Sequence, residues 1–87
     1  MHEQSLIAGL MRKIEAIRLD HNAGRVVCVK VRLGALSDIS ADHFREHFIR
    51  AARGTAAENA GLDIEVMTDA TGPHAQDILL DSIEVEE

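Results

Sequence analysis

Over residues 3–19 the apolar positions Leu6, Ile7, Leu10, Met11, Ile14 and Ile17 recur at intervals of three and four. That period predicts an amphipathic helix with Arg12, Lys13, Glu15 and Arg18 on its wet side. Asp20-His21-Asn22-Ala23-Gly24 follows as a run of turn formers with a glycine stop. The period then changes to two. Residues 25–33 read as a β-branched strand, with Val27, Val29, Val31 and Leu33 expected on one face and Val26, Cys28, Lys30 and Arg32 on the other. The second face turns polar towards its end, which suits a sheet covered on one side only.

Gly34-Ala35-Leu36-Ser37 reads as a turn into a second helix over about residues 40–53. Ser40 is its expected N-cap, Asp42 sits in the first turn, and Ala41, Phe44, Phe48 and Ala51 are its expected buried stripe. Gly54 is the expected left-handed stop. Thr55-Ala56-Ala57-Glu58 has capping-box spacing and predicts a short further helical turn before Gly61. Two strands finish the chain, one over residues 62–66 and one over residues 78–85 with Leu79, Ile83 and Val85 on one face. Between them lies a Gly-Pro loop holding His74. The order helix-strand-helix-strand-strand predicts an α+β fold of two layers, two helices packed on one face of a three-stranded sheet. The pattern does not set the strand order.

Composition narrows the function classes. Eighty-seven residues are expected to form a single domain over 1–87. Only Phe44 and Phe48 are aromatic, so aliphatic side chains supply most of the core. Nine basic against fifteen acidic residues give a net charge of −6, which argues against nucleic acid as a partner. No apolar run approaches the roughly 20 residues of a membrane helix, and the start lacks the basic and apolar regions of a secretory signal. The lone Cys28 offers neither a disulfide nor a thiolate zinc cage, so a cytoplasmic location is expected.

Candidate chemistry begins at the first residue. The α-amine of Met1, the amide nitrogen of His2 and the His2 imidazole can close adjoining five- and six-membered chelate rings on one ion. Such a planar nitrogen set suits tetragonal Ni(II) and Cu(II) better than Zn(II) or Mg(II). Glu3 can add a carboxylate or its own amide. These residues alone leave a second reading open, an exposed terminal histidine with no role. His43 and His47, one turn apart, are at a spacing where two imidazoles can share an ion; no third ligand is evident beyond nearby Asp42 and Glu46, and their place on the flank of the Phe44/Phe48 stripe favours a solvated helix edge. His21 reads as a turn residue, and His74 as a surface loop histidine whose imidazole could swing to a metal. Cys28, inside a strand and without a neighbouring base, reads as a buried structural thiol. Glu84, Glu86 and Glu87 read as a solvated acidic edge. No nucleophile elbow or phosphate-binding glycine loop occurs, so an enzyme is not expected.

The ordered set of local patterns resembles one family. Met1-His2-Glu3 with Ser5-Leu6 behind it is similar to the start of the HypA/HybF hydrogenase nickel-incorporation proteins. The valine strand ending in Gly34-Ala35-Leu36-Ser37 resembles that family's strand and Gly-Glu-Leu-Ser turn. Gly54-Thr55-Ala56-Ala57-Glu58-Asn59-Ala60-Gly61-Leu62 resembles its Gly-Thr-x-Ala-Glu-Gly-Ala-x-Leu segment, and residues 79–85 its last strand.

The resemblance implies a nickel metallochaperone for hydrogenase maturation. It would bind Ni(II) through Met1, His2 and Glu3 and deliver it, with a HypB-type GTPase, to the large subunit of a nickel–iron hydrogenase. Two departures stand out. The family's zinc-binding segment, with its two Cys-x-x-Cys pairs, is replaced by a short loop at about residues 67–76, so no structural zinc is expected. Ala35 occupies the family's Glu position, leaving Asp38 as the nearest carboxylate; Asp38 and His74 are the possible accessory ligands. The alternative is a degenerate HypA-like module that binds a maturation partner or hydrogenase precursor without transferring metal. Homodimerisation, through exchange of the final strand, is a further expectation.

Overall fold

In the computed structural model the described residues are 2–36, 39–69, 71–72, 75 and 77–86, with side chains described from Leu6 onward. The elements follow in chain order as α1 (His2–Asp20), β1 (Arg25–Leu33), α2 (Ala41–Ala52), β2 (Gly61–Val66) and β3 (Ile78–Glu86). Two helices and a three-stranded mixed sheet make the expected α+β fold.

Helix α1 buries Ile7, Leu10 and Ile14, with Met11 partly covered against the same core. Leu6, expected on this stripe, is 42% exposed at its margin. The helix ends where Asn22 takes a left-handed φ of 54°. There the Ala23 amide donates to the Arg18 carbonyl at 3.0 Å, and Arg18 Nη1 donates to the Ala23 carbonyl at 2.8 Å. These two bonds clamp the turn into β1.

Helix α2 starts as its sequence dictates: the Ser40 hydroxyl accepts from the His43 amide at 3.2 Å in an extended cap conformation. Replacing Ser40 with alanine leaves that amide to water and should lower stability by about 0.5–2 kcal/mol. Urea unfolding checks this, and an unchanged midpoint would contradict it. The buried stripe is Phe44, Phe48 and Ala52. Strict spacing of four selects Ala52, whereas the expected Ala51 is exposed and Ala41 only half-buried. Gly54 has the expected left-handed φ of 77°.

The short helical turn expected at residues 55–58 does not form. The Thr55 hydroxyl accepts from the Ala57 amide at 3.1 Å and donates to the Ala52 carbonyl at 2.7 Å. It is therefore spent on a local turn two residues on, rather than on the third residue as a capping box requires. Successive turns reach β2 instead, with Glu58 bonded back to Thr55 and Ala60 to Ala57.

The sheet order is β2-β1-β3, with β2 parallel and β3 antiparallel to the central strand. The parallel pair is a β-α-β unit whose crossover helix is α2. Two irregularities of register set the core face. Val26 faces Val85 and Cys28 faces Glu84, so Val27 is an extra residue on β1. Lys30 faces Ser82 and Val31 faces Leu80, so Asp81 is an extra residue on β3.

Each bulge shifts the alternation by one. Val26, Val29, Val31 and Leu33, all at most 1% exposed, therefore meet the helices, and the expected inward residue Val27 is only half-buried. On β3 the residues packed to the core are Ile78, Leu80, Ile83 and Val85. Leu79, expected among them, instead stands opposite Arg32. The uncovered face carries ion pairs of Arg32 with Glu65 at 3.2 Å and of Lys30 with Asp81 at 3.8 Å. Cys28 is half-buried rather than buried.

Candidate metal centre

Helix α1, about 28 Å long at 1.5 Å per residue, is as long as β1, about 30 Å at 3.3 Å per residue. Helix α1 packs against α2 and β3 and joins the start of β1 through a four-residue turn, so its leading turn lies away from that start, towards the end of the sheet where β1 stops. Three connections meet there. The Gly34 amide donates to the Asp77 carbonyl at 2.8 Å, the Leu36 amide to the Ala75 carbonyl at 2.6 Å, and the Met67 amide to the Leu33 carbonyl at 2.8 Å. The loops that hold Asp38 and His74 in sequence are tied together by these bonds through their described neighbours.

Met1, Asp38 and His74 lie outside the described residues, as do the side chains of His2 and Glu3. The backbone of His2 and Glu3 forms the first residues of α1. Their amides are therefore among the four leading N–H groups that no carbonyl within a helix can accept. A metal taking the His2 amide nitrogen breaks no helical hydrogen bond. The helix dipole acts in the opposite sense. It places about half a positive charge at this end, which disfavours a bare cation by roughly 0.3–1 kcal/mol, and a deprotonated amide and a carboxylate donor offset that field.

Helix α2 flanks this end. Ile7 and Ala8 share a shallow groove with His47, Arg50 and Ala51, while Met11, Ile14, Glu15 and Arg18 border the turns from Gly54 to Ala57. Both helices thus run in one direction. Five residues of rise separate Ile7 from His2, about 7.5 Å, and four separate His47 from His43, about 6 Å. The leading turn of α1 is level with the His43–His47 turn of α2. Sequence periodicity alone could not have brought these two segments together.

The described core contains no buried polar or charged residue. Among the described residues no group of three or more His, Cys, Asp and Glu side chains converges on one point. Two carboxyls are held below their usual range: Glu15 by its hydrogen bond from the Arg18 guanidinium, and Asp69 by hydrogen bonds from the Thr71 hydroxyl and amide. The Asp69 bonds, 2.8 Å from the hydroxyl and 2.9 Å from the amide, close a tight turn in the loop leading to His74. No helix among the described residues is long and apolar enough to cross a membrane.

Most of the chain matches the sequence model of a class of nickel-incorporation metallochaperones. The family model described as "Hydrogenase/urease nickel incorporation, metallochaperone, hypA" matches residues 1–71. The chain belongs to the HypA family. Similar curated proteins include the hydrogenase maturation factor HypA of Desulfitobacterium hafniense strain DCB-2, 37% identical over 67 residues covering 77% of this chain and 59% of that protein. HypA of Methylocella silvestris is 39% identical over the same shares, and HypA of Archaeoglobus fulgidus is 35% identical over 76% of this chain and 60% of its own.

The chain spans about 59% of the length of the curated relatives it matches. The solution structure of the Ni metallochaperone HypA from Helicobacter pylori shares the fold, with a TM-score of 0.78, 17% identity and 97% of each chain covered. The matched family segment ends before β3, and the shared fold extends across it.

Proposed function

We propose that the chain is a non-enzymatic nickel carrier for hydrogenase maturation. It binds Ni(II) through the Met1 amine, the amide and imidazole of His2, and Glu3. Asp38 and His74 are accessory ligands, drawn from the two loops tied together at the same end. The observation that carries this reading is the family match from residue 1, spanning Met1-His2-Glu3. Support also comes from the helix start at His2, which leaves the leading amides without helical partners. Delivery goes to the large subunit of a nickel–iron hydrogenase, with a HypB-type GTPase as partner.

The 87 residues act as one HypA-like unit in which the loop at 67–76 stands in place of the zinc segment. Their single cysteine cannot build a Cys-x-x-Cys site, so the only metal in this reading is the nickel cargo. A shallow site at a helix terminus suits a carrier, because the dipole opposes the cation and water reaches the ion from outside. Each nitrogen donor must give up a proton to bind. Nickel affinity should therefore rise with pH over about pH 6–8, where unperturbed imidazole and α-amine titrate, and acidification should release the ion.

The test is a Ni(II) titration of protein with a free Met1 amine against protein carrying a short N-terminal extension. The free form should take up one ion with the absorption of planar nitrogen ligation, and the extended form should lose it. Equal affinity in both forms, or affinity flat across that pH range, would reject the chelate. A second reading is a partner-docking module without metal transfer. Capture of the GTPase or hydrogenase precursor that persists after chelation of all metal would select it.

A further inference from the structure

We propose that His43 and His47 form a second binding site for a late first-row divalent cation, of the copper and nickel class, on the flank of α2 beside the leading turn of α1. The two imidazoles are four residues apart on one helix face, with ring centroids 6.4 Å apart and planes at 77°. Two imidazoles bound to one ion through nitrogens at about 2.0–2.1 Å have centroids about 4.5–5.2 Å apart. The rings must therefore close by only about 1–2 Å. His43 is exposed and can swing by side-chain rotation, while His47 is half-buried and engaged in a further contact that it exchanges for the ion.

The chemistry of the pair selects the ion. Imidazole nitrogen suits copper, nickel and zinc and is a poor donor for magnesium or calcium. Exposed Asp42 and Glu46 stand next in sequence to the two histidines and lend negative charge. Arg50, on the groove with His47, opposes a cation and keeps the site weak. Two protein donors leave the remaining positions to water or to a donor brought from outside.

A role as a staging position, exchanging an ion with the N-terminal chelate, rests on the proposed nickel reading. The two-imidazole site itself does not. Phe44 and Phe48 pack into the core from the adjoining face, so His43 can change without touching the core, while a change at His47 also touches the groove with Ile7 and Ala8.

The experiment titrates the full chain, with a free Met1 amine, with Cu(II) and Ni(II), following heat release and the histidine ring resonances. Four variants are compared with the parent: His2→Ala, His43→Gln, His47→Gln and the His43→Gln/His47→Gln pair. In His2→Ala, one weak ion should remain, and copper should broaden the His43 and His47 rings together. Losing an outer-shell partner already weakens metal sites about 10–100-fold. Each single glutamine should thus weaken this ion at least about tenfold, and the pair should be little worse than either single.

Failure of the N-terminal chelate looks different: His2→Ala changes nothing, and the paired variant removes the binding. The proposal is overturned if His2→Ala binds no copper, or if its residual ion is indifferent to both glutamine variants. Far-UV circular dichroism on each variant verifies that α2 is intact. Should a glutamine variant be unfolded, ring broadening in the parent decides: both rings broadening at one added copper equivalent supports the site, and neither doing so overturns it.

Discussion

Replacing His2 with alanine should abolish the first, planar equivalent of Ni(II) while leaving the fold unchanged. In the proposed site one side chain supplies the imidazole and, through its ring closure, holds the adjoining amide in the coordination plane. Its loss therefore removes one donor and the constraint on a second, and a nickel ion left with the Met1 amine and a carboxylate has no planar nitrogen set. The fold should survive because α1 is anchored further along, by Ile7, Leu10 and Ile14. Calorimetry with the nickel absorption spectrum reads the first effect, and thermal unfolding of metal-free protein reads the second. A variant that keeps a tight planar equivalent would remove His2 from the site. A variant that loses nickel only because it unfolds would show it in the metal-free melt.

The second large effect is on stability. Phe44→Ala should destabilise the chain by about 3–5 kcal/mol through lost apolar burial and the cavity left behind. Phe44 is 0% exposed and stacks on Phe48 with centroids 6.2 Å apart. These two rings are the only Phe, Tyr or Trp side chains in the sequence, so no other aromatic ring can fill the space. Against a total stability of roughly 4–13 kcal/mol for a chain of this length, the loss removes a large share. The melting temperature should fall by about 4–8 °C for each kcal/mol. Urea unfolding followed by circular dichroism measures it. A loss below about 1 kcal/mol would mean that the surrounding aliphatic residues close the gap.

The elements themselves were legible because each has a local cause. Spacing of three and four identifies α1 and α2, Ser40 and Gly54 mark the ends of α2, and the β-branched run marks β1. The errors fall where a local signal had a non-local competitor. Val27 and Leu79 were assigned to the core face by strict alternation, but a bulge at Val27 and another at Asp81 reset the phase of each strand. A bulge needs a partner strand, so no single strand can announce it. Thr55 carried a capping-box pattern, yet its hydroxyl bonds the Ala57 amide and the chain turns rather than coils.

The candidate site divides in the same way. Met1, His2 and Glu3 could be proposed from sequence because an amine, the next amide and that residue's own imidazole are linked by covalent geometry. The HypA-type patterns were legible for the same reason, being contiguous runs. Tertiary structure alone decided that β1 lies between β2 and β3, and that the loops after β1 and β2 meet at one end. It also set the His43–His47 turn level with the start of α1. Periodicity reports which face of an element is apolar. It holds no term for which neighbour covers that face, or at what height along the helix, and those are settled when the aliphatic side chains of the two layers pack together.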